Sequence, residues 1–359
     1  MIPRVTATID LAAIRHNLAQ VRRHAPQSRV MAAIKADAYG HGAVHVARAL
    51  AGAADSFAVA CLEEALVLRE AHLRAPVALL EGILSLQEAR LALRHELQVV
   101  VHDHWQLEIL EGLPQGARVS LWFKLDSGMH RLGFPLGDVP GLCRRLQARS
   151  DWDFCGWMTH LACADETGNP VTHEQVAAFG QALQGVAGAR SIGNSAGLIA
   201  WPEARSDWVR PGLMLYGASP LPGKRGDELG LQPAMTLDSR LIAVRRHAQG
   251  AAIGYGQAYR CPEDMPVGVA AVGYADGFHR ALPTGTPVLV RGRRVPMIGR
   301  VSMDMISVDL RDVPAAAVGD TVTLWGPGLP VEEIAAHAGT VAYELLCGLT
   351  QRVRFVHTG

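Results

Sequence analysis

Lys35 is the residue whose position points most directly to chemistry. It closes an apolar run that is predicted to be a strand (Arg29–Lys35), and Tyr39, Gly40 and Gly42 open the turn that follows. Most lysines are solvated, so the ordinary interpretation is a side chain that extends from the strand end into water. The functional interpretation is an amine whose pKa is lowered by desolvation until it forms an imine with an aldehyde.

The surroundings of Lys35 favour the functional interpretation. Pyridoxal 5′-phosphate, an aldehyde cofactor, needs a lysine for its imine, an aromatic or hydroxyl wall, and backbone donors for its phosphate. Lys35, Tyr39 and the turn Gly40-His41-Gly42 can supply these parts from one short loop. The segment resembles the cofactor-lysine motif of the alanine racemase family, which are fold-type III pyridoxal-phosphate enzymes.

The composition excludes several classes of protein. The chain has 359 residues, 49% of them hydrophobic, which is enough for one large domain and a smaller one. Lys+Arg and Asp+Glu are 34 each, so no overall field favours nucleic acid or an anionic membrane. The six cysteines form no C-x-x-C pair, and we find neither an apolar signal core nor a run of transmembrane length. We expect a cytoplasmic protein that acts on a small molecule, with no nucleic-acid or membrane partner and no metal.

The order of elements predicts an α/β fold. Short apolar runs alternate with helix-sized segments, which is typical of a (β/α)8 barrel of the TIM type. The predicted strands are Arg29–Lys35, Ser56–Ala60, Pro76–Glu81, Leu97–His102, Val119–Leu125, Phe154–His160, Arg190–Gly193 and Trp208–Leu215.

A second, mostly β domain is predicted after the barrel. Beyond Leu231 the helical periods give way to short apolar runs separated by Gly and Pro. We assign residues 1–230 to the barrel, residues 231–359 to the second domain, and the linker to Pro220–Gly226. The predicted strands of the second domain are Leu237–Arg245, Val267–Gly273, Pro287–Arg291, Met305–Leu310 and Thr321–Trp325.

In a (β/α)8 barrel the functional groups stand where the strands end. Polar residues at or just beyond the predicted strand ends are therefore expected to face one cavity. These residues are Lys35, Lys124, His160, Asn194, Ser195 and Arg210.

Ser195 has two interpretations. Its segment, Gly193-Asn194-Ser195-Ala196-Gly197, fits a phosphate cradle and also the G-x-S-x-G nucleophile elbow of hydrolases. A nucleophile-elbow serine needs an acid and then a histidine later in the chain. Asp207 and His247 are candidates only because they follow Ser195 in that order. The hydrolase interpretation leaves Lys35 without a role, so the phosphate cradle is favoured.

The family resemblance implies roles for several of these residues. In alanine racemases a matching Asn-Ser turn, here Asn194 and Ser195, holds the phosphate together with the glycine of an Arg-Pro-Gly segment, here Gly212. Tyr343, in Tyr343-Glu344-Leu345-Leu346, would also reach the phosphate. Arg210 would face the pyridine nitrogen, and because a guanidinium can only donate, it would keep that nitrogen unprotonated.

A further motif, Lys124-Leu125-Asp126-Ser127-Gly128-Met129-His130-Arg131-Leu132-Gly133, is similar to the family pattern K-x-D-[ST]-G-M-x-R-L-G. The resemblance implies that Arg131 binds the substrate carboxylate, a task that suits its donor fork. Lys124 is carbamylated in many members, and the resulting anion would orient Arg131. The alternative is an ordinary lysine paired with Asp126.

Racemisation removes a proton from one face of Cα and delivers another to the opposite face. Lys35 can serve one face. Gly254-Tyr255-Gly256-Gln257-Ala258-Tyr259 matches the family's G-Y-G-x-x-[YF] motif, which implies that Tyr255 serves the other. A tyrosine has a pKa of about 10, so it needs help to ionise. By resemblance, His160 would hydrogen-bond Tyr255 and contact Arg210.

The second domain carries the signatures Gly273-Tyr274-Ala275-Asp276-Gly277 and Gly299-Arg300-Val301-Ser302-Met303-Asp304. The resemblance implies that Met303 contacts substrate. Many relatives have Cys before this Met, whereas the present chain has Ser302. Residues implied to support the site or line its entry are Tyr274, Asp304, Arg280, Arg300 and Asp165.

In this family the tyrosine and methionine act in the partner's barrel, so the resemblance implies a homodimer with shared active sites. It implies interconversion of L- and D-alanine, with D-alanine for peptidoglycan or L-alanine for catabolism. Three alternatives remain. They are a racemase of serine or another small amino acid, a decarboxylase of the same fold, and a single-barrel pyridoxal-phosphate homeostasis protein, which would lack a second domain and a counterpart of Tyr255.

Overall fold

The structure is a computed structural model and describes residues 3–359. Strands and helices alternate along its first two thirds, as the sequence predicts. In chain order these elements are β1 (Thr6–Asp10), α1 (Leu11–His24), β2 (Arg29–Ala33), α2 (Lys35–Gly40), α3 (Ala43–Leu50), β3 (Ser56–Val59), α4 (Leu62–Glu70), β4 (Val77–Leu79), α5 (Leu86–Arg94), β5 (Gln98–Val101), α6 (His104–Glu111), β6 (Val119–Asp126), β7 (Phe134–Pro135), α7 (Val139–Ala148), β8 (Trp152–Met158), α8 (Val171–Ala182), β9 (Arg190–Ser191), α9 (Ser195–Ala200) and β10 (Trp208–Val209).

Eight of these strands close into a parallel barrel. Their order is β5-β4-β3-β2-β10-β9-β8-β6, and β5 pairs with β6 to complete the ring. The strands are covered on both sides, which explains why they read as continuous apolar runs. Side chains that fill the barrel interior form a cluster of their own, and the predicted fold class is confirmed. The buried members of this cluster are Met31, Ala58, Ala78, Val100, Trp122, Met158 and Trp208.

A mostly β unit follows the barrel, as predicted. Its main sheet has the order β14-β17-β16-β15-β18-β11-β1-β19, and β14 also pairs with β11. The elements are β11 (Met235–His247), β12 (Ala252–Ile253), β13 (Tyr259–Arg260), β14 (Met265–Ala270), β15 (Pro287–Val290), β16 (Arg293–Ile298), β17 (Ile306–Asp309), β18 (Thr321–Trp325), α10 (Val331–Ala338), α11 (Ala342–Cys347) and β19 (Arg354–Thr358).

Strand β1 lies in this second sheet although it precedes the barrel in the chain. It pairs antiparallel with β11 and parallel with β19. The predicted domain boundary between residues 230 and 231 stays a prediction. Strand β1 belongs to residues 3–230 of the chain but lies in the sheet of the second unit. Sequence patterns did not identify β1, β16 or β19. Exposed arginines interrupt the apolar pattern of β16 and β19, whereas β1 is a short strand whose partners, β11 and β19, lie far along the chain.

The two units are joined by hydrogen bonds as well as by the chain. Glu332 of α10 accepts from the backbone N–H groups of Ser219 (2.7 Å) and Gly226 (2.8 Å), which brackets the predicted linker. The ring of His357 in β19 lies 2.9 Å from the backbone carbonyl of His41. Among residues 3–359, none of the helices has the length and apolar character that a membrane crossing requires.

We predict that the contact between α2 and α11 tolerates no added methyl group at Gly40. A Cβ there would lie 2.3 Å from the carbonyl oxygen of Leu346, whereas a Cβ at Gly52, which has a similar φ of 76°, meets nothing within 4 Å. Overpacking against backbone costs about 1–3 kcal/mol beyond the strain of a positive φ. Urea unfolding should therefore show Gly40→Ala to be less stable than Gly52→Ala by that amount, and equal losses would contradict the contact.

Candidate active site

A cavity of about 730 Å³ opens at the carboxyl ends of the barrel strands. This is the end at which (β/α)8 proteins place their functional groups. Most of the residues predicted for cofactor and substrate binding line this one space. They are Lys35, Tyr39, Lys124, Arg131, His160, Asn194, Ser195, Arg210, Gly212 and Tyr343.

Lys35 does not end a strand, which corrects the predicted range. Strand β2 stops at Ala33, and Lys35 begins α2, whose residues Ala36–Tyr39 are left-handed, with φ of 50–55° and ψ of 41–51°. A left-handed helical residue costs roughly 1–2 kcal/mol when it is not glycine, so packing must hold the turn in place.

The predicted role of the Gly40-His41-Gly42 turn in phosphate binding is wrong in part. The N–H of His41 donates to Ala38 (3.1 Å) and that of Gly42 donates to Asp37 (2.9 Å), so both groups are used within the turn. The Asp37 side chain also accepts from the N–H of Ala43 at 2.7 Å. The N–H groups of His41 and Gly42 are therefore not available to a phosphate.

Tyr39 belongs to a group of stacked aromatic rings that also includes Tyr216 and His41. The ring of Tyr216 stacks on Tyr39, with centroids 4.9 Å apart, and its hydroxyl donates to the carbonyl of Ala33 at 2.8 Å. The buried ring of His41 also stacks on Tyr216, with centroids 4.5 Å apart, and its Nδ1 bonds the carbonyls of Ala38 (3.1 Å) and Tyr39 (2.8 Å). A ring nitrogen facing two carbonyls must carry the proton. No sequence pattern indicated Tyr216 or this role of the His41 side chain.

Arg210 lies one residue beyond β10 rather than inside the predicted strand. Its guanidinium is buried and donates to the Ser191 hydroxyl and to the carbonyls of Thr159 and Ile192. Burial lowers its pKa to about 10, which still leaves it charged at neutral pH. These acceptors belong to the ends of β8 and β9, so the barrel itself fixes where the remaining N–H groups point.

Ser195 and Gly212 form a small polar cradle. The Ser195 hydroxyl oxygen accepts from the N–H of Gly212 (2.8 Å) and more weakly from that of Met214 (3.4 Å), so the hydroxyl hydrogen can still be donated to an anion. Asn194 caps α9 by accepting from the N–H of Gly197. A Cβ on Gly212 would lie 2.4 Å from the Tyr39 hydroxyl, so only glycine fits.

The hydrolase interpretation of Ser195 is not supported. Asp207 bonds the backbone of Arg29 and Arg190 at the amino ends of β2 and β9, which is the opposite end of the barrel from Ser195. His247 ends β11 in the second sheet. Neither Asp207 nor His247 therefore accompanies the serine.

Positive charge dominates the cavity. Lys35, Lys124, Arg131 and Arg210 all line it, and within residues 3–359 no carboxylate lies within ion-pair distance of any of them. The predicted alternative of a Lys124–Asp126 pair is not observed, because Asp126 accepts from the N–H groups of residues 128–130 and lies beside the His130 ring.

This charge changes the acidity of its neighbours. Burial, followed by the charges of Arg210 and Arg131, lowers the pKa of Lys124 to about 8. Burial and the same group of cations hold the pKa of His160 well below its usual value, so its ring is neutral. Four cations against one lining carboxylate, Glu81, leave the cavity with an excess of positive charge that suits anionic ligands.

Other predicted site residues lie outside the cavity of their own chain. Tyr255 is 71% exposed on a 3₁₀ turn (Tyr255–Gln257), and Met303 is 52% exposed. No hydrogen bond joins His160 to Tyr255 in the described chain. Asp304 is paired with Arg352 at 2.7 Å. The side chains that remain exposed on the surface are Asp165, Tyr274, Arg280 and Arg300.

The cavity has wall residues that the sequence interpretation did not name. His102 and Trp105 line it, and His102 lies 3.2 Å from the carbonyl of Glu81. His102 is a polar residue at the end of a predicted strand, so the strand-end rule applied to all eight strands would have found it. Trp105 lies in the first turn of α6 and Leu84 in the segment before α5, and neither carried such a signal.

Comparison with known proteins agrees with this geometry. Residues 9–220 match the family described as alanine racemase, N-terminal domain, and residues 234–357 match alanine racemase, C-terminal domain. The chain belongs to the alanine racemase family. It is 51% identical to an alanine racemase of Thioalkalivibrio sulfidiphilus over 355 residues, covering 98% of each chain.

Two further members of the alanine racemase family show how close the likeness is. A catabolic alanine racemase of Pseudomonas putida is 50% identical over 343 residues, covering 96% of each chain. The crystal structure of a biosynthetic alanine racemase from Pseudomonas aeruginosa superposes with a TM-score of 0.94 at 45% identity, covering 100% of each chain. The first of these relatives is described as catabolic and the second as biosynthetic.

We predict that His41 makes this alanine racemase family member less stable in acid. Burial lowers the pKa of His41 to about 4, whereas in an unfolded chain it is about 6.5. Between these values the unfolded state binds more protons, so the contribution is complete above pH 6.5 and is lost as the pH falls toward 4.

His41→Asn keeps an amide donor near the two carbonyls but does not titrate. Urea unfolding at pH 7, 5.5 and 4.5 should show a shallower loss of stability for His41→Asn than for the wild type. His173→Asn, at a side chain that is 73% exposed, should keep the wild-type slope. Parallel slopes for wild type and His41→Asn would show that His41 is not buried as a neutral ring.

Proposed function

We propose that this chain is a pyridoxal-phosphate-dependent alanine racemase. The observation that carries the proposal is a lysine amine held on a rigid turn at the mouth of a barrel whose other cavity cations have no carboxylate partners. When bound, the cofactor supplies delocalisation of the negative charge that remains on Cα after its proton is removed. The same observation supports an anionic ligand, which a phosphate ester and an amino-acid carboxylate both provide.

The residues present fit this cofactor. Ser195 and the Gly212 backbone form a cradle in which any side chain at Gly212 would meet Tyr39. We propose that they hold the phosphate with Asn194, Tyr39 and Tyr343, and that Lys35 forms the covalent link. Arg210, fixed by its three acceptors, would face the ring nitrogen, where it can donate but cannot deliver a proton.

We propose that Arg131 binds the substrate carboxylate. It lines the same cavity as Lys35, and a guanidinium pairs with a carboxylate through two parallel hydrogen bonds. Lys124 beside it would repel Arg131 while charged. Its lowered pKa raises the share of neutral amine at neutral pH, and the neutral amine is the form from which a carbamate arises.

We propose that Lys35 and Tyr255 serve the two faces of Cα. Lys35 carries a proton on the barrel side. Tyr255 is exposed and outside its own chain's cavity, so a second copy of the chain must bring it there. The unit would then be a homodimer with shared sites, in which Tyr255 and Met303 enter the partner's barrel. His160, neutral by burial, would accept the hydrogen bond that helps the phenol ionise.

The remaining predicted residues fit the entrance to such a site. We propose that Asp165, Tyr274, Arg280 and Arg300 line the approach, while Asp304, paired with Arg352, supports the loop that carries Met303. Asp165 also has an effect on Tyr343. Burial and the Asp165 carboxylate raise the pKa of Tyr343 to about 12, so its hydroxyl keeps its proton and can donate to phosphate.

We propose that the protein works in the cytoplasm, supplying D-alanine for peptidoglycan or L-alanine for catabolism. All six cysteines are free thiols, which is typical of a reducing compartment. Serine is the nearest alternative substrate, because a small pocket rejects one additional hydroxyl only weakly.

Racemisation should depend on alanine, cofactor and Lys35 together. Purified protein should absorb at the wavelength of a lysine-linked aldehyde cofactor and should interconvert L- and D-alanine in a chiral assay. Lys35→Ala should lose the absorbance and at least about 1,000-fold in rate, because both the link and one proton carrier are gone. Serine and lysine are tested beside alanine. Faster turnover of serine, release of CO2 from lysine, or full absorbance in Lys35→Ala would contradict the proposal.

Shared active sites predict that two inactive variants restore activity when mixed. A hybrid dimer of Lys35→Ala and Tyr255→Phe has one site with both native residues, so up to about half of the hybrid's sites should work. Subunits with different tags are exchanged, hybrid dimers are isolated and racemisation is measured. The control mixes Lys35→Ala with Lys35→Ala carrying the second tag. Inactive hybrids would contradict the sharing of Lys35 and Tyr255 between chains.

A further inference from the structure

Glu64 connects two neighbouring strand ends at the cavity mouth. It lies in the first turn of α4, directly after β3. One carboxylate oxygen accepts from the N–H of Ala36 at 2.6 Å, and the other accepts from the N–H of Ala60 at 2.7 Å. Ala36 is the first residue of the left-handed turn and Ala60 is the first residue beyond β3, so one side chain joins the two.

The bond to Ala36 fixes the peptide that joins it to Lys35. The N–H that Glu64 binds belongs to this peptide, so its direction sets the plane from which the Lys35 side chain departs. Ala36 has φ of 51° and ψ of 51°, yet alanine has no polar side chain to stabilise that conformation locally. Backbone bonds from Ile34 to Ala58 and from Ala38 to Ile34 hold the preceding residue. Glu64 is the side chain that reaches the turn at its first residue.

We propose that Glu64 is a positioning residue that aims the Lys35 amine into the cavity. The inference rests on the proposed function, since it assigns Glu64 to the orientation of the cofactor lysine. The residue type follows from the geometry, because two backbone donors that diverge from one another need two acceptor oxygens on one side chain. Glutamine keeps only one of the oxygens and places a donor against the other N–H group.

An ordinary helix-capping role for Glu64 would explain the bond to Ala60 but not the bond to Ala36. An acidic residue near a helix N-terminus that binds a preceding N–H is common, and its loss affects stability alone. The test must therefore follow Lys35 itself as well as stability. Glu63 is a matched control, because it is the adjacent glutamate on α4 and is exposed.

The experiment compares wild type, Glu64→Gln, Glu64→Ala, Glu63→Gln and Glu63→Ala. In the cofactor-free protein, hydrogen exchange of segment 35–40 is measured together with the rate at which Lys35 is reductively methylated. In the loaded protein, the pH midpoint of the lysine-linked absorbance is measured with kcat and KM for alanine. Urea unfolding gives stability for each variant.

We expect Glu64→Gln to raise exchange in segment 35–40 at least 10-fold, change the methylation rate of Lys35, shift the pH midpoint, and lower kcat at least 10-fold with KM changed less than 3-fold. Glu64→Ala should be stronger in each respect, and the Glu63 variants should resemble wild type. Glu64 variants that lose stability but keep wild-type exchange, methylation and pH midpoint would overturn the inference. If the wild type failed to racemise alanine, the proposed function would fail, while the exchange and methylation of the cofactor-free protein would still decide the role of Glu64.

Discussion

Positive charge confined at one end of a barrel is the constraint on which the rest of this site depends. Lys124 and Arg210 are buried beside the cavity that Lys35 and the exposed Arg131 also line, and within residues 3–359 no carboxylate forms an ion pair with any of the four. Burying unpaired charge opposes folding, so the site is a place where stability is given up for binding. Arg210 stays charged at neutral pH because burial lowers its pKa only to about 10, whereas the pKa of Lys124 falls to about 8. An anionic ligand would relieve both.

The left-handed turn that carries Lys35 contacts segments from distant parts of the chain. Its residues Ala36–Tyr39 are held by groups that come much later in the sequence, among them the ring of Tyr216 and the backbone of Leu346 beside Gly40. The ring of His357, from the last strand, reaches the backbone carbonyl of His41. The barrel and the second unit are therefore not independent modules, because the position of the lysine depends on contacts with both. The pairing of β1 with β19 strengthens this dependence by placing both termini of the described chain in one sheet.

Sequence patterns predicted the parts of this molecule that follow from local rules. Buried parallel strands appear in the sequence as apolar runs. The rule that functional residues lie at the ends of barrel strands predicted that Lys124 and Arg210 share one cavity, and they do. The left-handed turn could not be predicted, because Ala36–Tyr39 contain no glycine and non-glycine residues rarely adopt positive φ. The prediction that the Gly40-His41-Gly42 turn binds phosphate was wrong in part for a related reason. The N–H groups of His41 and Gly42 donate to carbonyls within the turn itself. The roles of Tyr255 and Met303 rested on resemblance throughout.

The exposure of Tyr255 follows from a limit of the barrel itself. Groups at strand ends approach a bound ligand from the barrel side, so they can serve only one face of a reacting carbon. A reaction that inverts a stereocentre needs a second proton carrier on the face that looks away from the barrel. The position of Tyr255 suits this task. It lies on a turn between Gly254 and Gly256, both of which have positive φ, and the Arg300 guanidinium lies near Gly256. A phenol displayed on a rigid turn and 71% exposed is poorly placed for its own cavity and well placed for another copy's. Assembly would then also cover the open mouth of the cavity, and the same step that completes the acid–base pair would exclude the water that competes for its protons.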